Sequence, residues 1–154
     1  MTLTTHAVMG AVIGQAVGHP VLGFTLAFAT HLLIDMIPHG DSKMAENFHV
    51  HKVKQKQAIA YVMVDAITAI FIVLILANTK DVESLRAYTW GIAGGILPDL
   101  MVGAADIFKT PFLDKFHKFH FFFHNFFTKR FGDVPLAHAL LAQIVFIVIL
   151  QRVL

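Results

Sequence analysis

The sequence contains no cysteine, which excludes disulfides, thiolate zinc sites and cysteine-ligated iron–sulfur clusters. Charged residues are also scarce, at 14% of 154 residues, against about 25% in average soluble domains. Residues 1–34 carry no Asp, Glu, Lys or Arg, and neither do residues 134–151. Because a water-soluble helical domain needs a polar face on each helix, these stretches exclude an ordinary soluble helical protein.

What the chain does have is 56% hydrophobic residues, concentrated in apolar segments long enough to suggest membrane spans, which need roughly 17–25 residues. We define segments A (Thr4–Val17), B (Pro20–Ile37), C (Gln57–Ala77), D (Ala87–Ala105) and E (Val134–Val153). Segment A is short, and is either a tilted span or half of a re-entrant hairpin with segment B. We therefore expect an all-α fold, a single domain over residues 1–154 that is a polytopic membrane bundle of about four to five transmembrane helices.

The basic residues predict an orientation for this bundle. If segments A and B form a hairpin, the loops after B and after D lie on the same side as the N-terminus. These loops carry nine basic residues: Lys43, Lys52, Lys54, Lys56, Lys109, Lys115, Lys118, Lys129 and Arg130. The opposite side carries three, which are Lys80, Arg86 and Arg152. The excess predicts that the lysine-rich side is cytoplasmic.

Two further patterns bear on packing. Residues 106–132 hold ten of the fifteen phenylalanines, interleaved with basic residues, which predicts an amphipathic Phe/His-rich segment in the membrane interface. Gly10, Gly14 and Gly18 recur every fourth residue on segment A. Such a stripe lets another helix approach closely and makes an oligomer through this face possible. The alternative is apolar filler without specific packing.

Histidines and carboxylates stand where a membrane protein tolerates few polar groups. His31 and Asp35 are one turn apart on segment B, Asp99 follows Pro98 on segment D, and His120 and His124 are one turn apart. Charged groups in lipid face inward and find partners. Imidazoles and carboxylates without thiolates suit Zn²⁺, with Mn²⁺ or Fe²⁺ also possible. The predicted metal ligands are His6, His31, Asp35, Asp99, His124 and His138.

Each of these residues also has a structural interpretation. His31 and Asp35 can form an internal hydrogen bond that only joins helices. His6 and His138, at predicted membrane boundaries, can be interfacial polar tips. Asp65 on segment C can be a protonated carboxyl group, and His19, His49 and His51 are expected in turns and loops.

Three motifs resemble those of the membrane-bound metal-dependent hydrolases, the group that includes the LexA-regulated inner-membrane hydrolases. They are Thr5-His6-Ala-Val-Met-Gly10, His31-Leu-Leu-Ile-Asp35 with the following Pro38-His-Gly40, and Gly95-Ile-Leu-Pro98-Asp99-Leu. The resemblance implies a metal centre facing the cytoplasm of a bacterial or archaeal cell, built from His6, His31, Asp35, Asp99 and a loop histidine. The sequence departs from the pattern at Met101, where the family has a second Asp.

The leading hypothesis is hydrolysis of a membrane-embedded, lipid-like ester, most plausibly a phosphoester. A metal would activate water, Asp41 or His120 would serve as general base, and the Phe-rich segment would hold acyl chains. One alternative is a metal-ion or proton-coupled transporter, and another is a non-catalytic membrane adaptor. We expect a membrane lipid or amphipathic substrate as partner and no nucleic acid, since the basic residues sit in loops between apolar segments.

Overall fold

The computed structural model describes residues 1–42 and 55–154, and this part of the chain is helical without strands, as the sequence predicts. Five residues that the sequence predicts in the loop after segment B lie outside the described residues: Lys43, His49, His51, Lys52 and Lys54. The helices of the described part are α1 (Leu3–Val17), α2 (Pro20–Ile34), α3 (Gln55–Thr79), α4 (Leu85–Phe108), α5 (Pro111–His124), α6 (Thr128–Phe131) and α7 (Leu136–Leu150).

Helix ends follow the local sequence. Gly18 ends α1 in the left-handed conformation at φ 65°, and His19 then caps the N-terminus of α2 by accepting a hydrogen bond from the Leu22 amide. His19 is therefore a turn residue. Segment B ends earlier than predicted, since α2 stops at Ile34 with Asp35 as its C-cap. Pro38 explains part of this difference, because it disfavours helical geometry in the residue before it.

Helices α1 and α4 pack backbone against backbone through small residues. A Cβ added at Gly10 would lie 2.3 Å from the Gly91 carbonyl oxygen, and one at Gly14 would lie 2.1 Å from that of Ala87. No side chain fits in these gaps, so glycine is required at both positions. The close approach expected of the glycine stripe is thus made within the chain by α4, while Gly18 belongs to the turn.

Two helices, α3 and α4, are long and apolar enough to cross a membrane. Helices α1, α2 and α7 are also apolar but have 15 residues each. The outer surface of α3 is strongly apolar: Val64 is 64% exposed and Phe71 is 62% exposed.

Helix α5 is amphipathic with its polar side inward. His120 and His124 are buried, whereas Phe112, Phe119 and Phe122 are exposed on the outside. The segment predicted to be amphipathic therefore does have two faces, and it is the histidine face that packs against α2 and α4. This orientation brings two imidazoles into the interior of the bundle.

Two polar residues from other helices hold the first turn of α1. The Asp65 carboxylate on α3 accepts hydrogen bonds from the Leu3 amide at 2.6 Å and the Thr4 hydroxyl at 2.6 Å. On α7, Oε1 of Gln143 accepts from the Thr2 amide at 2.8 Å. The first amides of a helix have no partner within the helix, so Asp65 and Gln143 satisfy them. Together they fix the turn that carries His6.

Candidate metal centre

Four side chains from α2, α4 and α5 converge at one end of the bundle and form what we call the first group: His31, Asp35, Asp99 and His120. Nε2 of His120 lies 3.2 Å from Oδ2 of Asp35 and 3.4 Å from Oδ1 of Asp99. Nε2 of His31 lies 3.5 Å from Oδ1 of Asp99 and 3.2 Å from Nε2 of His120. One donor atom from each residue falls within 4.8 Å of the others, which is close enough for all four to contact one ion.

A second group lies beside the first and consists of His39, Asp41 and His124. Oδ2 of Asp41 lies 3.1 Å from Nε2 of His39 and 3.3 Å from Nε2 of His124. The two Nε2 atoms are 3.0 Å apart. His39 and Asp41 come from the chain that follows α2, and His124 is the last residue of α5.

Backbone carbonyl groups set the tautomers of one histidine in each group. Nδ1 of His31 donates to the carbonyl oxygen of Gly95 at 2.6 Å, and Nδ1 of His39 donates to that of Ile37 at 2.7 Å. With the proton on Nδ1, the Nε2 lone pair of each neutral ring points toward the carboxylates. This assignment is inferred from the hydrogen bonds, and it is the arrangement that metal-ligating histidines usually have.

The Asp35 carboxylate faces both groups. Its Oδ2 atom lies on the side of His120, within the first group, and Oδ1 lies 4.0 Å from Nε2 of His39, within the second. Oδ1 also accepts a hydrogen bond from Nε2 of His6 at 3.2 Å and contacts the amino group of Met1. Oδ2 is buried and has no hydrogen-bond partner among the described residues.

His6 is fully buried against the first group. Its ring stacks on that of His31, with centroids 3.7 Å apart, and its Nε2 atom lies 3.9 Å from Oδ2 of Asp99. Because Nε2 donates to Asp35, Nδ1 carries the lone pair, and it has no hydrogen-bond partner within the described part of the chain. Through its hydrogen bond to Oδ1, His6 orients the Asp35 carboxylate.

The carboxylates dominate the electrostatics of the two groups. Burial opposes a charged imidazole, but Asp35 and Asp99 outweigh burial and raise the pKa of His120 to about 9. Burial likewise lowers the pKa of His124, but Asp41 outweighs it and the net shift is upward. For Asp41, hydrogen bonds with the surrounding imidazoles overcome burial and hold its pKa well below the usual range. The centre therefore attracts positive charge.

The loop that carries His39 and Asp41 is held in place by Asp133, which belongs to neither group. The carboxylate of Asp133, just before α7, accepts hydrogen bonds from the Gly40 amide at 2.8 Å, the Ser42 amide at 3.0 Å and the Ser42 hydroxyl at 2.6 Å. Gly40 has a φ of 84°, which favours glycine. These contacts fix the loop on both sides of Asp41.

The structure brings together most of the residues predicted from sequence. His6, His31, Asp35, Asp99 and His120 meet in or against the first group, and Asp41 and His124 meet in the second. His120 and Asp41, predicted as general bases, stand among the candidate ligands of the two groups.

Two outcomes differ from the sequence prediction. His138 is exposed and belongs to neither group, because the buried face of α7 is marked by Ala139 and Gln143, one position further along the helix. His39 was not assigned a role, although it lies between Asp35 and Asp41 just beyond the end of α2. Its position between two predicted site residues was the signal that could have found it.

No family model, no curated protein and no solved structure matches this chain. The resemblance to the membrane-bound hydrolases therefore stays a prediction, and the geometry of the two groups is what bears on function.

Proposed function

We propose that the protein is a membrane-embedded, metal-dependent hydrolase that acts on a lipid-like phosphoester from the cytoplasmic face of the membrane. The observation that carries this proposal is the Asp35 carboxylate, which faces two groups of imidazole and carboxylate donors. Hydrolases of phosphate esters commonly use metal pairs held about 3.5–4 Å apart.

The donor atoms of the two groups are of the kinds that bind divalent metals. Imidazole nitrogens and carboxylate oxygens are the ligands of Zn²⁺ in catalytic sites, and they also suit Mn²⁺ and Fe²⁺. Buried polar atoms are nearly always paired in native proteins, yet Oδ2 of Asp35 lies 3.2 Å from Nε2 of His120 without forming a hydrogen bond of good geometry. A cation beside this atom would satisfy it.

We assign the ligands by group. One ion would be held by His31, Asp35, Asp99 and His120, and the other by His39, Asp41 and His124, with Asp35 shared between them. His120 and Asp41 are thus proposed as ligands, in place of the general-base role that the sequence analysis considered for them. His6 and the exposed His138 are left out of the ligand set.

When bound, the metal supplies Lewis acidity toward the phosphoryl oxygens and lowers the pKa of water toward about 7. Residues of the chain orient the ligands. His6 donates to Asp35 and orients it, and the carbonyl of Gly95 holds the tautomer of His31. Asp133 holds the loop of the second group in place. Asp99 is only partly buried, at 28% side-chain exposure, so the first group is open to a substrate on its side.

Placement in a membrane is part of the proposal. The support is the length and apolar character of α3 and α4 together with the exposed apolar side chains of α3 and the exposed phenylalanines of α5. The cytoplasmic orientation rests on the distribution of Lys and Arg in the sequence.

The geometry favours a hydrolase over the two alternatives. Both groups lie at one end of the bundle, formed by the end of α2 and the C-terminal halves of α4 and α5. A transport path would instead need ionisable groups along the whole thickness of the membrane. An adaptor that used these residues only for packing would not need seven imidazole and carboxylate side chains gathered into two groups at metal-ligand distances.

The experiment compares metal content and hydrolysis in purified wild-type protein, His31→Ala and His138→Ala, all in the same detergent. His138→Ala is the matched control, since it removes an exposed histidine that belongs to neither group. We expect zinc in the wild type and the control, with hydrolysis of p-nitrophenyl phosphate, and loss of both in His31→Ala. Equal metal content in all three proteins would refute the metal centre. Metal bound without hydrolysis of this ester or of hexadecyl phosphate would refute the hydrolase.

A further inference from the structure

A cavity of about 280 Å³ opens from the metal centre between α3, α4 and α5. Its polar end is formed by residues of both groups, which are Asp41, Asp99, His120 and His124. Its walls away from the groups include Ile59 and Val62 of α3, Val102 and Gly103 of α4, and Phe121 of α5. One continuous space therefore joins proposed ligands to a largely apolar wall, which also contains Tyr61, Asp65 and Asp106.

Helices α3 and α4 form two sides of the cavity. At the opposite end of the bundle the hydroxyl of Tyr88 donates to the carbonyl oxygen of Val73 at 2.8 Å, which ties the two helices together. At the near end, a Cβ added at Gly103 would meet no atom within 4 Å. A side chain is absent where α4 borders the cavity, and this absence keeps the space open.

The cavity also communicates with the outer surface of the bundle. Ile59 and Val62 line it and are 51% and 57% exposed, so they belong both to the cavity wall and to the apolar outside of α3. If the outside of α3 faces lipid, a hydrocarbon chain can enter sideways between the helices without crossing water.

We propose that this cavity binds the hydrocarbon chain of a single-chain lipid phosphate ester, whose phosphate group lies at the two metal groups. This inference rests on the proposed function and names its substrate class. Charge complementarity supports the position proposed for the phosphate group, because a phosphate is attracted to bound divalent cations and an apolar molecule is not. The apolar residues of the cavity wall support the position proposed for the hydrocarbon chain.

The volume decides between one chain and two. A cavity of roughly 150 Å³ holds benzene, so about 280 Å³ holds around a dozen carbon atoms. That is enough for much of one chain and too little for two. The hydrocarbon chain is thus placed between α3, α4 and α5, whereas the sequence predicts that the Phe-rich segment holds it; of the phenylalanines in that segment, Phe121 alone lines the cavity.

The test fills the cavity without touching the proposed ligands. Gly103→Leu places a side chain in open space on a helix that leucine favours, and Val62→Phe narrows the cavity from the opposite wall. Leu100→Phe is the control, because Leu100 lies on the same helix as Gly103, is 52% exposed and does not line the cavity. Each protein is assayed for zinc content, for hydrolysis of p-nitrophenyl phosphate and hexadecyl phosphate, and for binding of hexadecyl phosphate by thermal shift.

We expect Gly103→Leu and Val62→Phe to lose at least tenfold in kcat/KM for hexadecyl phosphate and to lose its thermal shift. Their zinc content and their activity on p-nitrophenyl phosphate should match the wild type and Leu100→Phe. Unchanged hydrolysis and binding of hexadecyl phosphate in both variants would overturn the tail site while the proposed function stands. Faster hydrolysis of a two-chain phosphatidic acid by wild-type protein would also overturn the single-chain assignment.

Failure of the proposed function gives a different pattern. Wild-type protein would then hydrolyse neither ester, and binding alone decides the tail site. A thermal shift by hexadecyl phosphate that is lost in Gly103→Leu and kept in Leu100→Phe would support the cavity as a lipid-chain site. A shift of equal size in all four proteins would overturn it.

Discussion

Oδ1 of Asp35 lies 4.0 Å from Nε2 of His39, so a carboxylate of the first group also faces the second. The other oxygen of the same carboxylate lies 3.2 Å from Nε2 of His120. Asp35 therefore belongs to the first group and borders the second, and the amino group of Met1 contacts both Oδ1 of Asp35 and, at 2.8 Å, Nε2 of His39. This relationship predicts that the groups can be emptied separately or together, depending on which residue is removed.

Removal of Asp35 should have a larger effect on metal content than removal of His124. We expect about two ions per chain in the wild type, as in paired metal sites, about one in His124→Ala, and fewer than one in Asp35→Ala. Metal analysis after extensive dialysis measures this, with His138→Ala as control. Equal losses in His124→Ala and Asp35→Ala would contradict the sharing of Asp35 between two ions.

The contact of α1 with α4 should not tolerate a methyl group. A Cβ at Gly91 would lie 2.1 Å from the carbonyl oxygen of Gly10 and 2.8 Å from the backbone of Gly14. Overpacking of this kind costs about 1–3 kcal/mol, so we expect Gly91→Ala to lower the Tm by several degrees. Gly103→Ala on the same helix meets no neighbour and should leave the Tm unchanged or slightly higher. Equal Tm values for both variants would show that the helices can separate without loss.

Local periodicity explains which parts of the site could be predicted from sequence. His31 and Asp35 are four residues apart on a helix, so they share a face whatever surrounds them. The helical class follows from the length of the apolar segments, and the inward direction of Asp99 follows from the predicted cost of a carboxylate that faces lipid. These inferences need only the helix and its solvent.

The other features of the site depend on the rotation of each helix about its axis and on contacts between residues that are far apart in sequence. Neither is determined by the spacing of residues along the chain. The position of His138 at the start of segment E predicts a metal ligand, but α7 is rotated so that Gln143 faces inward. The loop with His39 and Asp41 takes its shape from Asp133, which is far away in sequence. Asp65, considered as an isolated carboxyl in lipid, is instead an acceptor for the first turn of α1.

Asp65 should matter for stability through the first turn of α1. Asp65→Leu leaves the Leu3 and Thr4 amides without their acceptor, and unpaired buried donors cost about 1–3 kcal/mol. We expect a lower Tm, partly restored in Asp65→Asn, which keeps one carbonyl oxygen. The control is Asn78→Ala on the same helix, since the Asn78 amide donates only within α3 and is exposed. A Tm for Asp65→Leu equal to that of Asn78→Ala would contradict this role.

The clamp between Asp133 and the loop of the second group should depend on pH. Burial opposes ionisation of Asp133, but hydrogen bonds from Ser42, Gly40 and Val134 outweigh it and lower its pKa below the usual 3.8. A carboxylate with a lowered pKa stabilises the fold above its unfolded pKa, and this contribution is lost as the pH falls through the folded value. Because Asp133 is largely exposed, we expect roughly 0–1 kcal/mol.

The measurement is the Tm of wild type and Asp133→Asn from pH 7 to pH 3, with EDTA present so that metal release does not contribute. The difference between the two proteins should be largest near pH 7 and should shrink below about pH 4, where the carboxylate of unfolded wild-type protein begins to bind a proton, and further as the pH falls through the lower pKa of the folded state. Glu83→Gln, which neutralises an exposed carboxylate in the loop before α4, is the control. The clamp would be ruled out as a pH-dependent contact if the Tm difference of Asp133→Asn were constant over this range. It would also be ruled out if Glu83→Gln gave the same profile, because the effect would then follow from net charge alone.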